Sequence, residues 1–197
     1  MNIAIVGNGN VGSALARGLE RAGHAVRAVG NDGAAIRDTA ASAELVILAV
    51  PFGAIDDVVK AAGDVLAGRT VVDATNALDA NMNLAVGFTS SGAEELQKKL
   101  PKSRVVKAFN TVFAQHMERG KLGDERLTAF VAGDDEPARK QVVELARSIG
   151  FDPVDSGPLK NARLLEPLAY FNIQLGYGLG MGTQIGFKLL HGRRVES

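Results

Sequence analysis

The chain opens on a short apolar run, NIAIV at 2–6, which passes at once into GNGNVG at 7–12. The helical pattern VGSALARGLERAG follows, with Val11, Leu15 and Leu19 on one stripe and Gly23 at the stop. Strand, glycine-rich turn and helix in that order leave few folds open, because a strand feeding a helix so tightly belongs to a parallel sheet covered by helices. The glycines of such a turn have separate physical tasks. Gly7 permits the bend, Gly9 lets the backbone approach a pyrophosphate, and Gly12 lets helix and strand lie close. The first helical turn then offers free N–H groups and a partial positive charge to the phosphates. Gly7, Asn8, Gly9, Asn10, Val11 and Gly12 are therefore the expected pyrophosphate cradle.

The same alternation continues along the chain. AVRAV (25–29), ELVILAV (44–50), TVVDAT (70–75), RVVKAF (104–109), LTAFVAG (127–133) and FDPVD (151–155) read as further strands. Pro51 cannot donate to a ladder, so it ends the third. Helices are expected near 54–62, over 92–100, and over EPARKQVVELARSIG, which has Pro137 in its first turn and Gly150 at its stop. From Leu159 onward the pattern is helical. The expected architecture is α/β: a Rossmann-type, doubly wound, mostly parallel sheet over residues 1–157, with a short helical C-terminal extension over 158–197.

Asp32 ends the second strand region about twenty residues after the glycine turn, where such folds meet the adenine ribose of a dinucleotide. A carboxylate there accepts from ribose hydroxyls and repels a 2′-phosphate, so Asp32 favours NAD over NADP. A second reading stays open, in which Asp32 caps the following helix. Arg27 and Arg37 are within reach of a phosphate in sequence terms, and Asn31 can donate to either nucleotide.

Ligands of open α/β sheets sit beyond the carboxyl ends of the strands. Val50, Pro51 and Phe52 follow the third strand there, Asn76 follows the fourth, and Asn110 and Thr111 follow the fifth. They offer small polar groups and a flat apolar wall, suited to a nicotinamide or another planar ring. Lys107 interrupts an apolar strand. Its ammonium has two expected places, the mouth of the site or the rim of the core.

The 22 basic and 22 acidic residues balance to a formal charge of zero, which argues against a polyanionic partner such as nucleic acid. The one basic cluster, Arg193-Arg194, reads as a solvated end. There is no cysteine, which removes disulfides and thiolate chemistry and fits a cytoplasmic protein. The N-terminus has no basic region and no cleavage signal of a secretory leader. Residues 167–187 are uncharged, but Asn172, Gln174 and Gln184 would be costly in lipid, so no membrane span is expected. The glycines of GYGLGMGTQIG lie four apart in several pairs and read as a small-residue helix face for a dimer partner or a flat ring.

His24 reads as structural, His191 as part of the tail and His116 as a helix-surface residue. No HxxxH pair, GxSxG elbow or carboxylate cluster suggests a metal or a nucleophile. With no acid–base set of the kind an alcohol dehydrogenase needs, no catalytic side chain is assigned. Such a chain either moves a hydride between two cofactors by positioning them, or binds a dinucleotide without catalysis. Imino-acid and sugar-acid reductases carry a large helical substrate domain, for which the ~40 residues after Asp155 are too few, since domains start near ~50.

Together AIVGNGNVGSALARGL, LAVPF, VVDATNAL, TSSGAEELQKKLP, RVVKAFNTV, FVAGDD and DSGPLKNARLLEPLA resemble the NADPH-dependent deazaflavin reductases, or coenzyme F-420-dependent NADP oxidoreductases. The resemblance runs along nearly the whole chain, and KAFNT and GPLKNAR are far more specific than the glycine turn. It implies NADP or NAD as cofactor, deazaflavin coenzyme F-420 as possible co-substrate, hydride transfer between stacked rings, and a homodimer. It places the pyrophosphate on Gly7 to Gly12 and the nicotinamide by Pro51, Asn76 and Asn110. Leu159 and Arg163 would lie near the second ring or the domain junction, with Thr111 on the substrate side. Relatives that prefer NADP often carry Ser-Arg where this chain has Asn31-Asp32, a departure that again favours NAD. A second departure puts Ala77 where proline is common. The same fold resembles the cytosolic domain of membrane ferric reductases, so a free flavin or ferric chelate is the alternative acceptor.

Overall fold

The seven apolar runs become the seven strands of one sheet in the structure, a computed structural model that describes residues 1–192. The Arg193-Arg194 pair lies outside the described residues. The strands are β1 (Asn2–Val6), β2 (Ala25–Val29), β3 (Leu45–Leu48), β4 (Thr70–Asp73), β5 (Arg104–Lys107), β8 (Thr128–Gly133) and β9 (Asp152–Asp155). A small hairpin, β6 (Lys121–Leu122) and β7 (Glu125–Arg126), stands apart from them. The order across the sheet is β2-β1-β3-β4-β5-β8-β9, and only β5 and β8 pair antiparallel. The expected doubly wound, mostly parallel sheet is thus the observed one. β3, β4 and β5 leave the ladder earlier than their apolar runs end. Ala49, Thr75 and Phe109 therefore belong to loops at the carboxyl edge, not to strands.

Helices cover both faces. α1 (Asn10–Arg21) and α6 (Glu136–Ile149) place Leu15, Leu19, Val142 and Leu145 on Ile3, Ile5, Ile47 and Val131. α2 (Gly33–Ala41), α3 (Ile55–Ala62) and α4 (Gly92–Lys99) place Ile36, Val58 and Leu96 on Ala4, Val46 and Val71 of the other face. Each fully buried leucine or isoleucine contributes about 1.5–3 kcal/mol, so both faces clamp the sheet between helices. Helix α5 (Ala114–Met117) is a single turn. α2 was not legible in the sequence, since GAAIRDTAA offers one large apolar side chain and hence no stripe.

The extension begins with one turn, Leu159–Asn161, and α7 (Ala162–Ile173), then a wider turn over Gln174–Gly178. There the helical expectation stops being correct. Gly180 and Gly182 take φ of 71° and 75°, values that end a right-handed helix, and residues 179–192 form no helix. They run back beside the start of β8 instead. The Thr128 N–H donates to the Phe187 carbonyl at 2.9 Å, and the Leu189 N–H to the Thr128 hydroxyl at 2.8 Å. His116, expected on a helix surface, is buried with Nε2 3.0 Å from the Thr183 carbonyl, so it anchors this tail. Among the described residues no helix is long and apolar enough to cross a membrane.

Candidate nucleotide and redox site

β1 connects to β2 on one side of the sheet, while β3 pairs with β1 on the other, so the sheet switches direction between β1 and β3. The groove opens there. Its outer compartment, about 790 Å3, runs from Gly7, Asn8 and Gly9 to Gly30 and Asn31, with Val50 and Pro51 opposite. Its inner compartment, about 350 Å3, continues from Gly9, Asn10 and Val11 past Pro51 and Phe52 to Thr75 and Asn76. Gly9, Ala49, Val50 and Pro51 wall both, which makes one continuous trough.

The glycine turn has the local form its tasks require. Gly7 sits at φ 113°, and a Cβ there would overlap the Ala49 carbonyl. A Cβ on Gly12 would overlap the Gly7 carbonyl, so helix and strand touch through backbone. At Gly9, by contrast, nothing lies within 4 Å of where a Cβ would stand, which leaves that space to a ligand. No side chain caps α1 at Gly9 and no acid occupies its first turn. Its first N–H groups and positive end thus face the trough without a protein partner, as an anion requires.

Asp32 caps the start of α2. Its Oδ1 accepts from the Ala35 N–H at 2.7 Å, and the trough is walled on either side of it by Asn31 and Gly33. The arginines point elsewhere. Arg37 pairs with Asp64 at 2.8 Å and also donates to the Ala62 carbonyl, while Arg27 borders a separate hollow with Asn2 and Thr39. Among the described residues no lysine or arginine lines the outer compartment; its one ionisable side chain there is Asp57, which the sequence pattern does not single out.

At the inner end the buried polar atoms are conspicuous. Thr75 Oγ1, Asn76 Oδ1 and Asn110 Oδ1 are buried and have no hydrogen-bond partner among the described residues. Buried polar atoms are seldom left so, since each costs roughly 1–3 kcal/mol. Asn110 does not line either compartment; its amide donates to the Leu165 carbonyl of α7 at 3.0 Å. Phe109, just before it, is held at φ 68°, a left-handed conformation a bulky side chain rarely adopts and one that marks functional edges. The uncapped helix start, the open space at Gly9 and these orphaned oxygens fit a nicotinamide dinucleotide lying along the trough.

The residues expected nearer a second ring lie at the junction of extension and sheet. Leu159 is buried in the core, and Thr111 is buried with its carbonyl accepting from Asn172 at 3.1 Å. Arg163 grips Glu94 of α4 with two bonds, at 2.7 and 2.9 Å. That grip, with a bond from Ser91, holds the Glu94 carboxyl below its ordinary range and the Arg163 guanidinium above its own.

Lys107 corrects both expected places for its ammonium, for it reaches neither the mouth nor the rim. It has no solvent exposure, and Asp73 Oδ2 and Glu166 Oε1 each stand 3.0 Å from Nζ. Burial pushes the ammonium down, but the two carboxylates outweigh that and hold it above the ordinary lysine value. Asp73 and Glu166 were missed in the sequence. A lysine and an aspartate ending neighbouring apolar runs were the available signal, since the strands pair Asp73 with Lys107.

With this geometry in view, comparison with known proteins is specific. A sequence profile of the family described as NADP oxidoreductase coenzyme F420-dependent matches residues 29–77. Metalloreductase STEAP2 of Homo sapiens is 34% identical over 113 residues, 56% of this chain but 22% of its own length. The chain thus spans about a fifth of that curated relative. The F420-dependent NADP reductase of Methanothermobacter marburgensis is 30% identical over 151 residues, covering 73% of this chain and 67% of its own. The crystal structure of a candidate F420-dependent NADP reductase from Arthrobacter sp. FB24 superposes with a TM-score of 0.88 at 30% identity, over 97% of this chain and 100% of that one. Matched along its length in sequence and in fold, the chain belongs to the family of coenzyme F420-dependent NADP oxidoreductases.

Proposed function

We propose that this protein transfers a hydride between a nicotinamide dinucleotide and a deazaflavin or flavin-like acceptor. The observation that carries the reading is the trough itself, with an uncapped helix start in its middle and orphaned buried oxygens, Thr75 Oγ1 and Asn76 Oδ1, at its inner end. A carboxamide has two N–H donors to offer such oxygens. Gly7 to Gly12 would hold the pyrophosphate, Asn31 and Asp57 the adenosine half, and Val50, Pro51 and Phe52 one face of the nicotinamide ring. The bound dinucleotide supplies the hydride. The protein's part is to align two flat rings and exclude water.

NADH is the expected preference, because among the described residues no cation lines the outer compartment to meet a 2′-phosphate. The same reading takes the protein as a cytoplasmic homodimer. Supporting the dimer, Phe171, Tyr177, Leu179 and Met181 of the extension are large, apolar and more than half exposed. Thr111, Leu159 and Arg163 would then shape the acceptor side from beneath, by fixing where α7 meets the sheet. The match to metalloreductases favours a second acceptor class, free flavin or a ferric chelate.

Steady-state reduction of the oxidised deazaflavin coenzyme, with NADH and NADPH in parallel, tests the reading. Turnover with NADH ahead is the expected result. Turnover only with flavin or ferric chelate would move the acceptor class, and nucleotide binding without turnover on any acceptor would leave a sensing module in its place.

A further inference from the structure

Hydride transfer by alignment calls for no lysine, yet a fully buried one lies directly beneath the inner compartment. Three oxygens surround its ammonium: Asp73 Oδ2 at 3.0 Å, Glu166 Oε1 at 3.0 Å and the Thr75 carbonyl at 2.7 Å. Three protons therefore meet three acceptors, and the group is satisfied. Asp73 uses its other oxygen to accept from the Thr75 N–H at 2.9 Å. The Thr75 peptide is thus held on both sides, its N–H by Asp73 and its carbonyl by Lys107. The side-chain oxygens left over, Thr75 Oγ1 and Asn76 Oδ1, have no partner.

The third member comes from the extension. Glu166 of α7 accepts from the Gly92 and Ala93 N–H groups at the start of α4, at 2.8 and 3.1 Å, as well as from Lys107. α7 also takes the Asn110 amide on its Leu165 carbonyl. The carboxyl-edge loops after β4 and β5 are therefore both tied to one turn of α7.

We propose that Lys107 is a positioning residue: with Asp73 and Glu166 it fixes the Thr75–Asn76 backbone so that the oxygens of these two side chains receive the carboxamide of the nicotinamide. The proposal rests on the dinucleotide reading above. Stability alone is a poor reason for the arrangement, because a buried ion network replaced by apolar groups of similar volume is often no less stable. What an apolar side chain lacks is the bond to the Thr75 carbonyl.

The test is calorimetric binding of NAD+ and of ADP-ribose, which keeps the pyrophosphate and adenosine but lacks the nicotinamide, to wild-type and Lys107→Met protein. We expect Lys107→Met to weaken NAD+ about ten-fold, the equivalent of about 1.4 kcal/mol, while ADP-ribose stays within about two-fold. Equal weakening of both ligands, or of neither, would overturn the positioning role. If Lys107→Met does not fold, Asp73→Asn serves instead, since it keeps an acceptor for the Thr75 N–H while removing the charge that faces Lys107. The same selective loss is expected of it, and its absence overturns the proposal. Wild-type protein that binds neither ligand would instead remove the dinucleotide reading on which the proposal stands.

Discussion

The outer compartment of the trough is walled by short side chains and backbone, with Asn31 and Asp57 exposed at its rim. The inner compartment rests on Lys107, Asp73 and Glu166, whose side chains are at most 1% exposed and bonded to two further elements. The difference follows from what each end must do. On the proposed function, the outer end would recognise a nucleotide, where a misplacement of half an ångström costs some affinity. The inner end would bring two rings to reacting distance, where small displacements cost orders of magnitude in rate. Rigidity is concentrated where position decides the chemistry.

The sharpest way to break this contrast is to remove one anchor from each end. Glu166→Ala leaves Lys107 short of one carboxylate and two N–H groups of α4 without their acceptor. A loss of about 3–5 kcal/mol in urea unfolding is expected, as when a buried charge loses a partner. Asp57→Ala should stay within about 0.5 kcal/mol by the same measurement. Similar losses at both ends would refute the idea that only the inner end is rigid.

The glycine turn offers a finer contrast within three residues. Gly12→Ala forces a methyl into the Gly7 carbonyl and should cost about 1–3 kcal/mol. Gly9→Ala meets no protein atom within 4 Å, so its melting temperature should be unchanged while ADP-ribose binding weakens. A destabilised Gly9→Ala would mean that this space serves the fold and not a ligand.

At the outer rim, Asn31→Arg should move the NADPH-to-NADH ratio of kcat/KM upward by about ten-fold, the value of one charge-assisted hydrogen bond, with no change in unfolding. No shift would mean that the 2′ position lies elsewhere. The smallest effect concerns acid. The folded-state value of the Glu94 carboxyl lies below its ordinary 4.5, so the stability it contributes is present above that value. It is lost as pH falls through the lowered folded value, and Arg163→Ala should flatten that part of the stability–pH curve.

Much of this was readable before any coordinates. Seven apolar runs gave seven strands, and Gly7, Gly9, Pro51 and Asn76 fall together in the trough because strand ends of a parallel sheet share one edge. Readings that hinged on a local choice were not decidable in that way. Asp32 has the spacing of a ribose acceptor and of a helix cap alike, and its 2.7 Å bond from the Ala35 N–H shows the cap. The place of Lys107 is not legible in the same way, since its partners sit on another strand and on a helix far along the chain. The tail departs from its pattern because glycine spacing suits a helix and a turn alike, and Gly180 and Gly182 take positive φ.

The Glu166 tie has a consequence for the order in which this molecule comes into being. A ribosome releases the chain from its N-terminus, so all seven strands emerge before α7 does. Until then Lys107 has Asp73 as its one carboxylate, and the start of α4 has no acceptor for its Gly92 and Ala93 N–H groups. The Thr75–Asn76 edge therefore matures only after the sheet is complete, and synthesis interrupted after β9 would release a wound sheet in which Lys107 still lacks its second carboxylate.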